Sequence, residues 1–503
     1  MEKEYLALLE KAKTNVNGKD YRLLLENYNM DLETVKFIKD VKLYLKEFPK
    51  LQVMLVSYVC VENYRKEFID FFLDLVRDKR LEFDYCRYLY YQVWAMAFRL
   101  NIKVEYKKLY QSYKKLYMNF TSNMEITLAE PEKCIVIITV QMLNDKHGPT
   151  RNTLDHAYIL QEVFGYKVMI ISTLEIPIKD NFSMVTSFTL NYNKHIEGAK
   201  LIRYQGIELM CYQPLGENYT QKTMYKLVGL IYNQKPCLVY NMGGNSLVAD
   251  ACSKFTQVMT LPFGYHFPVS MAKNLILPRS ITEADENEVS FYKKRGHNIL
   301  ESNFMFKLKE VDRYNTRKDF NIPEDKYVVA IVGTRLQAEI KEEFVEILNR
   351  IIELVPAILI VFIGEFKLYE ERIQQYPILE ASSKYLGMQD NLKEVFPICD
   401  LYINPIRRGG GTSAVEALSE GVPVVTFGNC DVAFACGSDF VCEDEEQYIE
   451  KVIKYRTDKS FYEEQKQNAL RRANTLFDTE GMLRDLLLQV ETKYFNQGEN
   501  YEK

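Results

Sequence analysis

The sequence predicts an all-helical N-terminal region followed by two α/β domains, and three observations lead to this fold class. Residues 1–128 contain one proline, Pro49, and one glycine, Gly18, so little interrupts helix formation there. From residue 129, apolar runs of strand length alternate with helical segments. The alternation starts again near residue 321. We therefore expect domains at 1–128, 129–300 and 301–503, with a ligand cleft between the two α/β domains.

Apolar residues recur at helical spacing through 41–48, 53–58, 68–76 and 85–100, which indicates a helical bundle in the first region. Three roles stay open for it: a docking platform for a protein or glycan acceptor, a module for forming a homo-oligomer, or an added stabilising subdomain. The lysines and tyrosines of 103–115 leave a peripheral contact with a membrane surface as a further alternative.

Composition argues against several classes of protein. The 503 residues carry 64 basic and 69 acidic side chains, a net charge of −5, which does not favour a nucleic-acid binder. No apolar run approaches the ~20 residues of a membrane-spanning helix. Ten cysteines are scattered without a CxxC pair, so we expect no metal site and a cytoplasmic location.

The segment 400–427 predicts a phosphate-binding loop between two strands. A short apolar strand leads to three consecutive glycines, Gly409, Gly410 and Gly411, which permit a tight turn. Thr412 or Ser413 is a suitable N-cap for the helix that follows. The free N–H groups of such a helix start attract anions. A plain turn in an α/β core is the alternative.

Two cations follow the strand YVVAIVG that opens the last domain. Arg335 and, six residues later, Lys341 suit a diphosphate, the arginine as a fork and the lysine as a point charge. The alternative is a solvated helix face on which Glu339, Glu342 and Glu343 pair with both cations.

The ordered segments GTRLQAEIK (333–341), IVFIGE (360–365), YLGMQDNLKEVFPICDLYINP (385–405) and RGGGTSAVEALSEGVPVVT (408–426) resemble the C-terminal half of GT-B glycosyltransferases. They are most similar to the "glycosyl transferases group 1" family of glycogen and sucrose synthases. The resemblance implies two Rossmann-like domains facing a cleft, a nucleotide-diphosphate sugar as co-substrate, and no bound cofactor or metal.

The same resemblance implies roles for individual residues. Arg335 and Lys341 would hold the leaving diphosphate, and Glu416 the ribose hydroxyls. The remaining implied donor contacts are the backbone at Leu386 and Gly387 for the base, and Gly410, Gly411, Thr412 and Ser413 for phosphate.

One position departs from the family pattern. Retaining members carry two glutamates separated by seven residues, and counting back from Glu416 reaches Arg408. The stereochemical outcome therefore stays open, and we expect Arg408 to contact the sugar or a phosphate.

The segment KHGPTRNTLDHAYILQEVFGYKVMIIST (146–173) is similar to the loop and first helix of the acceptor domain in such enzymes. By that similarity His147, Gly148 and Thr150 face the cleft. Neutral His147 is a catalytic candidate because imidazole accepts a proton near pH 7, and a loop histidine bonded to backbone is the alternative. Asp155 is a candidate base for an inverting reaction, and Asn245, in a Gly-Gly-Asn-Ser turn, is a candidate sugar contact.

These observations predict a glycosyltransferase that uses a nucleotide-diphosphate sugar, preferably a UDP-sugar. The expected acceptor is a glycan or a protein in bacterial-type surface glycan or glycoprotein synthesis. Two alternatives stay open: a non-catalytic GT-B partner or chaperone subunit of an active transferase, and a UDP-sugar epimerase or phosphorylase on the same fold.

Overall fold

In the computed structural model of the chain, the structure describes residues 34–60, 66–99, 102, 104–126, 130–144, 147–176, 189–217, 219–407, 409–428 and 430–490. The helices of the N-terminal part are α1 (Thr34–Tyr44), α2 (Pro49–Cys60), α3 (Lys66–Val76), α4 (Phe83–Arg99) and α5 (Tyr106–Thr121). The prediction of a helical N-terminal region is confirmed.

The first sheet contains eight strands within the described residues, in the order β3-β4-β2-β1-β5-β6-β7-β8. Their bounds are β1 (Glu132–Thr139), β2 (Lys167–Ser172), β3 (Gly198–Tyr204), β4 (Ile207–Gln213), β5 (Pro236–Met242), β6 (Gln257–Leu261), β7 (Asn274–Leu277) and β8 (Asn298–Glu301). All neighbours pair in parallel except β3, which pairs antiparallel with β4 at the edge. From Cys134 to its end, β1 is buried on both faces, which explains its continuous apolar run.

The helices between these strands are α6 (Gly148–Tyr158), α7 (Gln221–Asn233), α8 (Leu247–Ala251) and α9 (Glu286–Lys293). One hydrophobic cluster joins the N-terminal helices to this sheet, since Phe72 and Tyr113 belong to the same buried set as Val136, Val239 and Leu275. The helical region therefore shares a core with the first α/β unit.

The second sheet contains six described strands in the order β11-β10-β9-β12-β13-β14, all parallel. Their bounds are β9 (Tyr327–Gly333), β10 (Ile358–Gly364), β11 (Ser383–Gly387), β12 (Leu401–Ile403), β13 (Val424–Phe427) and β14 (Val441–Cys442). Counted from β9, this order is 3-2-1-4-5-6, the doubly wound arrangement in which ligands bind beside the first and fourth strands, at their carboxyl ends.

The helices of this unit are α10 (Leu336–Glu339), α11 (Glu342–Leu354), α12 (Tyr369–Ile373), α13 (Pro377–Ala381), α14 (Leu392–Val395), α15 (Gly411–Ser419), α16 (Asp431–Cys436), α17 (Glu445–Thr457) and α18 (Lys459–Asn474). The final described helix, α19 (Thr479–Val490), returns to the first sheet, where Leu483 and Leu486 pack in one cluster with Ile135 and Leu154. The boundaries at 128 and 300 stay predictions.

None of the helices in the described part of the chain has both the length and the apolar character needed to span a bilayer.

Candidate active site in the cleft between the two sheets

A cleft of about 580 Å³ lies between the two α/β units, at the carboxyl ends of their strands. The second unit contributes the turn after β9, the glycine loop and the start of α15. The first unit contributes the start of α6 and the loop that holds Phe263, Gly264 and Tyr265. Of the sequence-predicted residues, seven line the cleft: Gly148, Arg335, Gly410, Gly411, Thr412, Ser413 and Glu416.

The glycine loop ends in the N-terminus of α15. Gly409 and Gly410 both have φ of +88°, a left-handed conformation that side-chain-bearing residues rarely adopt. Gly410 is the N-cap, so the expectation that Thr412 or Ser413 caps the helix is wrong. The left-handed turn starts the helix earlier, and Ser413 Oγ instead donates to the Gly410 carbonyl at 2.9 Å. The first N–H groups of α15 therefore face the cleft without a side-chain cap.

Arg335 lies two residues after the end of β9, lines the cleft, and has about two fifths of its side chain exposed. Its Nε is 3.1 Å from Glu339 Oε1. The ion pair considered from the sequence is therefore present, and the arginine also lines the cleft.

Arg407 is a buried arginine of the same wall that the sequence analysis did not single out. Its guanidinium donates to Glu339 Oε2 at 2.7 Å, to Asn404 Oδ1 at 2.8 Å and to the Tyr402 hydroxyl at 2.9 Å. A methyl group added at Gly410 would lie 2.8 Å from Arg407 Nη2, so glycine leaves the room that this side chain fills. Arg407 thereby supports the glycine loop, and it also lines the cleft.

Three further donor-site candidates lie beside the cleft and do not line it. Lys341 is an exposed residue at the N-cap of α11. Leu386 and Gly387 end β11, and the residues that follow them, Met388 and Gln389, line the cleft instead. Arg408 lies outside the described residues.

Glu416 lines the cleft from the second turn of α15 and is only 6% exposed. Burial raises the pKa of Glu416 to about 7, while the positive charges of Arg151, Lys309 and Lys393 oppose that rise. Near neutral pH this carboxyl is therefore present partly in its protonated form and partly in its ionised form.

The helix α6 begins at Gly148, because Pro149 fits the first helical turn. Its N-cap His147 places Nδ1 at 2.8 Å from Thr150 Oγ1, and Thr150 also accepts from the backbone N–H of Leu143 at 3.0 Å. Burial, with the charge of Arg151, lowers the pKa of His147 to about 4, so its imidazole is neutral at pH 7. Neither His147 nor Thr150 lines the cleft; Gly148 does.

Asp155 and Asn245 are placed away from the cleft lining. Asp155 Oδ1 is 3.4 Å from Gln205 Nε2 and 3.8 Å from Lys307 Nζ, and burial raises the pKa of this carboxyl. Asn245 has φ of +52° and accepts a hydrogen bond from the Tyr91 hydroxyl of α4 at its carbonyl. These two residues join elements that are distant in sequence.

Several cleft residues escaped the sequence analysis. Arg151 comes from α6 of the first unit, and Lys309 donates to the Asp390 carbonyl at 2.9 Å. Asp431 accepts from the N–H of Gly409 at 2.9 Å and of Tyr265 at 3.5 Å, so one carboxylate links the glycine loop to the other unit. Arg151 lies within the quoted segment KHGPTRN, so that motif contained the signal. Among the described residues, no group of acidic, histidine or cysteine side chains forms a metal site.

Fold and cleft together define a GT-B protein: two doubly wound units whose strand ends face one ligand space. Residues 312–472 match the family "Glycosyl transferases group 1", which confirms the resemblance for the second unit. A comparison with curated proteins finds no match.

Solved structures show a related architecture. A mutant of the O-GlcNAc transferase of Thermobaculum terrenum has a TM-score of 0.51 at 12% identity, over 98% of each chain. The Anabaena HepE protein in complex with UDP and glucose has a TM-score of 0.47 at 13% identity, over 71% of this chain and 99% of its own. At these identities the likeness concerns the fold. The family match and the fold together support glycosyl transfer as the class of activity.

Proposed function

We propose that this protein transfers a sugar from a nucleotide-diphosphate sugar, preferably a UDP-sugar, to a glycan or protein acceptor. The observation that carries the proposal is the convergence in one cleft of Arg335, the uncapped start of α15 and the buried carboxyl of Glu416. A cation and a helix N-terminus stabilise the negative charge that develops on a leaving diphosphate. A carboxyl at the same helix suits the hydroxyl groups of a ribose.

The opposite wall of the cleft is lined by aromatic side chains. Tyr265, Phe304 and Phe306 line the cleft, and Tyr265 and Phe306 are buried in a cluster with Val415 of α15. Aromatic side chains that bridge the two units exclude water from the reacting centre, which protects a sugar donor from hydrolysis. Arg335 and the N–H groups of α15 supply the electrostatic stabilisation without a metal ion.

A second candidate is a non-catalytic GT-B partner of an active transferase. It is favoured by one observation: Arg408 stands where retaining members of the family carry a glutamate. Such a partner retains the nucleotide site and lacks turnover, whereas an epimerase would change the sugar without needing an acceptor.

Calorimetric titration with UDP, GDP and ADP, with and without EDTA, tests the proposal. We expect micromolar binding of UDP that EDTA does not change. Release of UDP from a UDP-sugar, measured next, separates the transferase from a non-catalytic partner. Absence of binding to all three nucleotides would reject the donor proposal.

Glu416→Gln tests the ribose contact. We expect this variant to weaken UDP binding more than pyrophosphate binding, because pyrophosphate has no ribose. Equal losses for both ligands would remove Glu416 from the ribose site.

The membrane contact remains a proposal that vesicle binding can test, and the homo-oligomer remains one that sedimentation can test. The cytoplasmic location also remains a proposal.

A further inference from the structure

Arg151 brings a positive charge into the cleft from the first α/β unit. It follows Gly148 by three residues on α6, so both lie on one face of that helix. A methyl group added at Gly148 would lie 3.7 Å from Thr412 Oγ1. The first turn of α6 therefore lies close to the first turn of α15, where the second unit is expected to hold phosphate.

The guanidinium of Arg151 has no partner among the described residues. Its Nε is shielded from solvent and makes no hydrogen bond within that part of the chain. Other cations of the cleft are paired: Arg407 with Glu339, and Lys309 with a carbonyl. The charge of Arg151 influences the carboxyl of Glu416, yet the two side chains form no ion pair in the described structure. The residue as a whole is partly exposed and lines the cleft, so an anion bound there would also satisfy the shielded Nε–H, whose burial without a partner has a cost.

We propose that Arg151 binds the diphosphate of the sugar donor from the first unit, opposite Arg335 and the start of α15. This assignment rests on the proposed function for the identity of the donor. It adds that the diphosphate site is shared between the two units and is complete only when both face the ligand.

The test compares pyrophosphate, UDP and uridine as ligands of the full-length protein and of Arg151→Gln and Arg151→Lys. We expect Arg151→Gln to weaken pyrophosphate and UDP about 10- to 100-fold, the range for losing a charge-assisted hydrogen bond. Uridine, which carries no phosphate, should bind unchanged. Arg151→Lys should give an intermediate loss because lysine keeps the charge and loses the fork.

Arg203→Gln is the matched control, since it removes one arginine of the same unit whose side chain is 87% exposed on β3. It should leave all three affinities unchanged. Melting temperatures of all variants confirm that the fold is retained.

The outcomes separate this inference from the proposed function. Wild-type protein that binds pyrophosphate but not UDP rejects the proposed donor, and Arg151 is then judged by pyrophosphate alone. Unchanged pyrophosphate affinity in Arg151→Gln, an equal loss for uridine, or wild-type protein that binds no pyrophosphate would each overturn the inference.

Discussion

Arg407 Nη1 and Glu339 Oε2 lie 2.7 Å apart beside the glycine loop, and both side chains are almost completely buried. Glu339 also pairs with Arg335, which faces the cleft. One buried carboxylate thus compensates a structural arginine and positions a ligand-facing one. Glu339 therefore affects both the stability of this wall and the position of the cation, Arg335, that faces an anion in the cleft.

Glu339→Gln should therefore destabilise the protein. The substitution leaves the Arg407 guanidinium buried without its counter-charge, which costs about 3 kcal/mol. Denaturation midpoints and melting temperatures are compared instead of extrapolated free energies of unfolding, because a chain of several domains does not guarantee two-state unfolding. Glu480→Gln is the control because its pair with Arg484 is about half exposed, and we expect it to shift stability by less than about 0.5 kcal/mol. Equal midpoints for the two variants would contradict the role of the buried pair.

Arg335→Gln and Lys341→Gln should differ in their effect on diphosphate binding. Arg335 lines the cleft, whereas Lys341 is an exposed N-cap residue next to it. We expect the arginine variant to weaken pyrophosphate binding at least tenfold and the lysine variant to weaken it less. Titration of both at low and physiological salt checks this order, because screening reduces the contribution of the more exposed charge. A larger loss for Lys341→Gln would place the diphosphate nearer α11.

Gly364→Ala should disrupt the turn that shapes the cleft floor. Gly364 has φ of +123°, and an added methyl group would lie 1.9 Å from the Gly333 carbonyl oxygen. Backbone must move to relieve this contact, so we expect a loss of about 3 kcal/mol or more in stability. Gly296→Ala is the matched control: its φ is +87° but the added methyl meets open space, which predicts about 1 kcal/mol. Thermal melts of the two variants test this difference in stability, and equal shifts in melting temperature would mean that the close contact is relieved at little cost.

The sequence was sufficient for the alternation of strands and helices in the two α/β regions and for the place of the glycine loop. Buried parallel strands are continuous apolar runs, and the left-handed φ angles of Gly409 and Gly410 form the turn from which α15 starts. These signals are local, so they can be read from neighbouring residues.

The burial of Arg407 and the position of Asp155 were not predictable in this way. Arg407 and Arg408 are identical neighbours in sequence, and the burial of Arg407 depends on Glu339, 68 residues earlier. Asp155 follows a cleft-facing turn, yet its partners come from the β3–β4 hairpin and from Lys307. Contacts between distant segments determined both positions.

Glu416 should make stability depend on pH. Burial raises the pKa of Glu416 from 4.5 to about 7, so between these values the folded protein holds a proton that the unfolded chain releases. The favourable contribution is fully present below about pH 4 and is lost as the pH rises through 7, up to about 3 kcal/mol. Relative to wild type, Glu416→Gln should therefore gain melting temperature between pH 5 and pH 8, because its side chain cannot ionise. Parallel pH profiles for the two proteins would contradict the raised pKa.

His147→Ala should lower turnover more than it lowers donor affinity. The pKa of His147, lowered to about 4 mainly by burial, keeps its imidazole neutral at pH 7 and bonded to Thr150 Oγ1. A base with this pKa gives a rate that rises through pH 4 and is then constant to pH 8. UDP release from a UDP-sugar, followed across this range, tests the profile in wild type, His147→Ala and the control His195→Ala, whose exposed side chain lies on a short surface turn. Wild-type kcat in His147→Ala would show that the histidine has only its structural bond to Thr150, whereas a tenfold loss at unchanged UDP affinity would assign it to the chemical step.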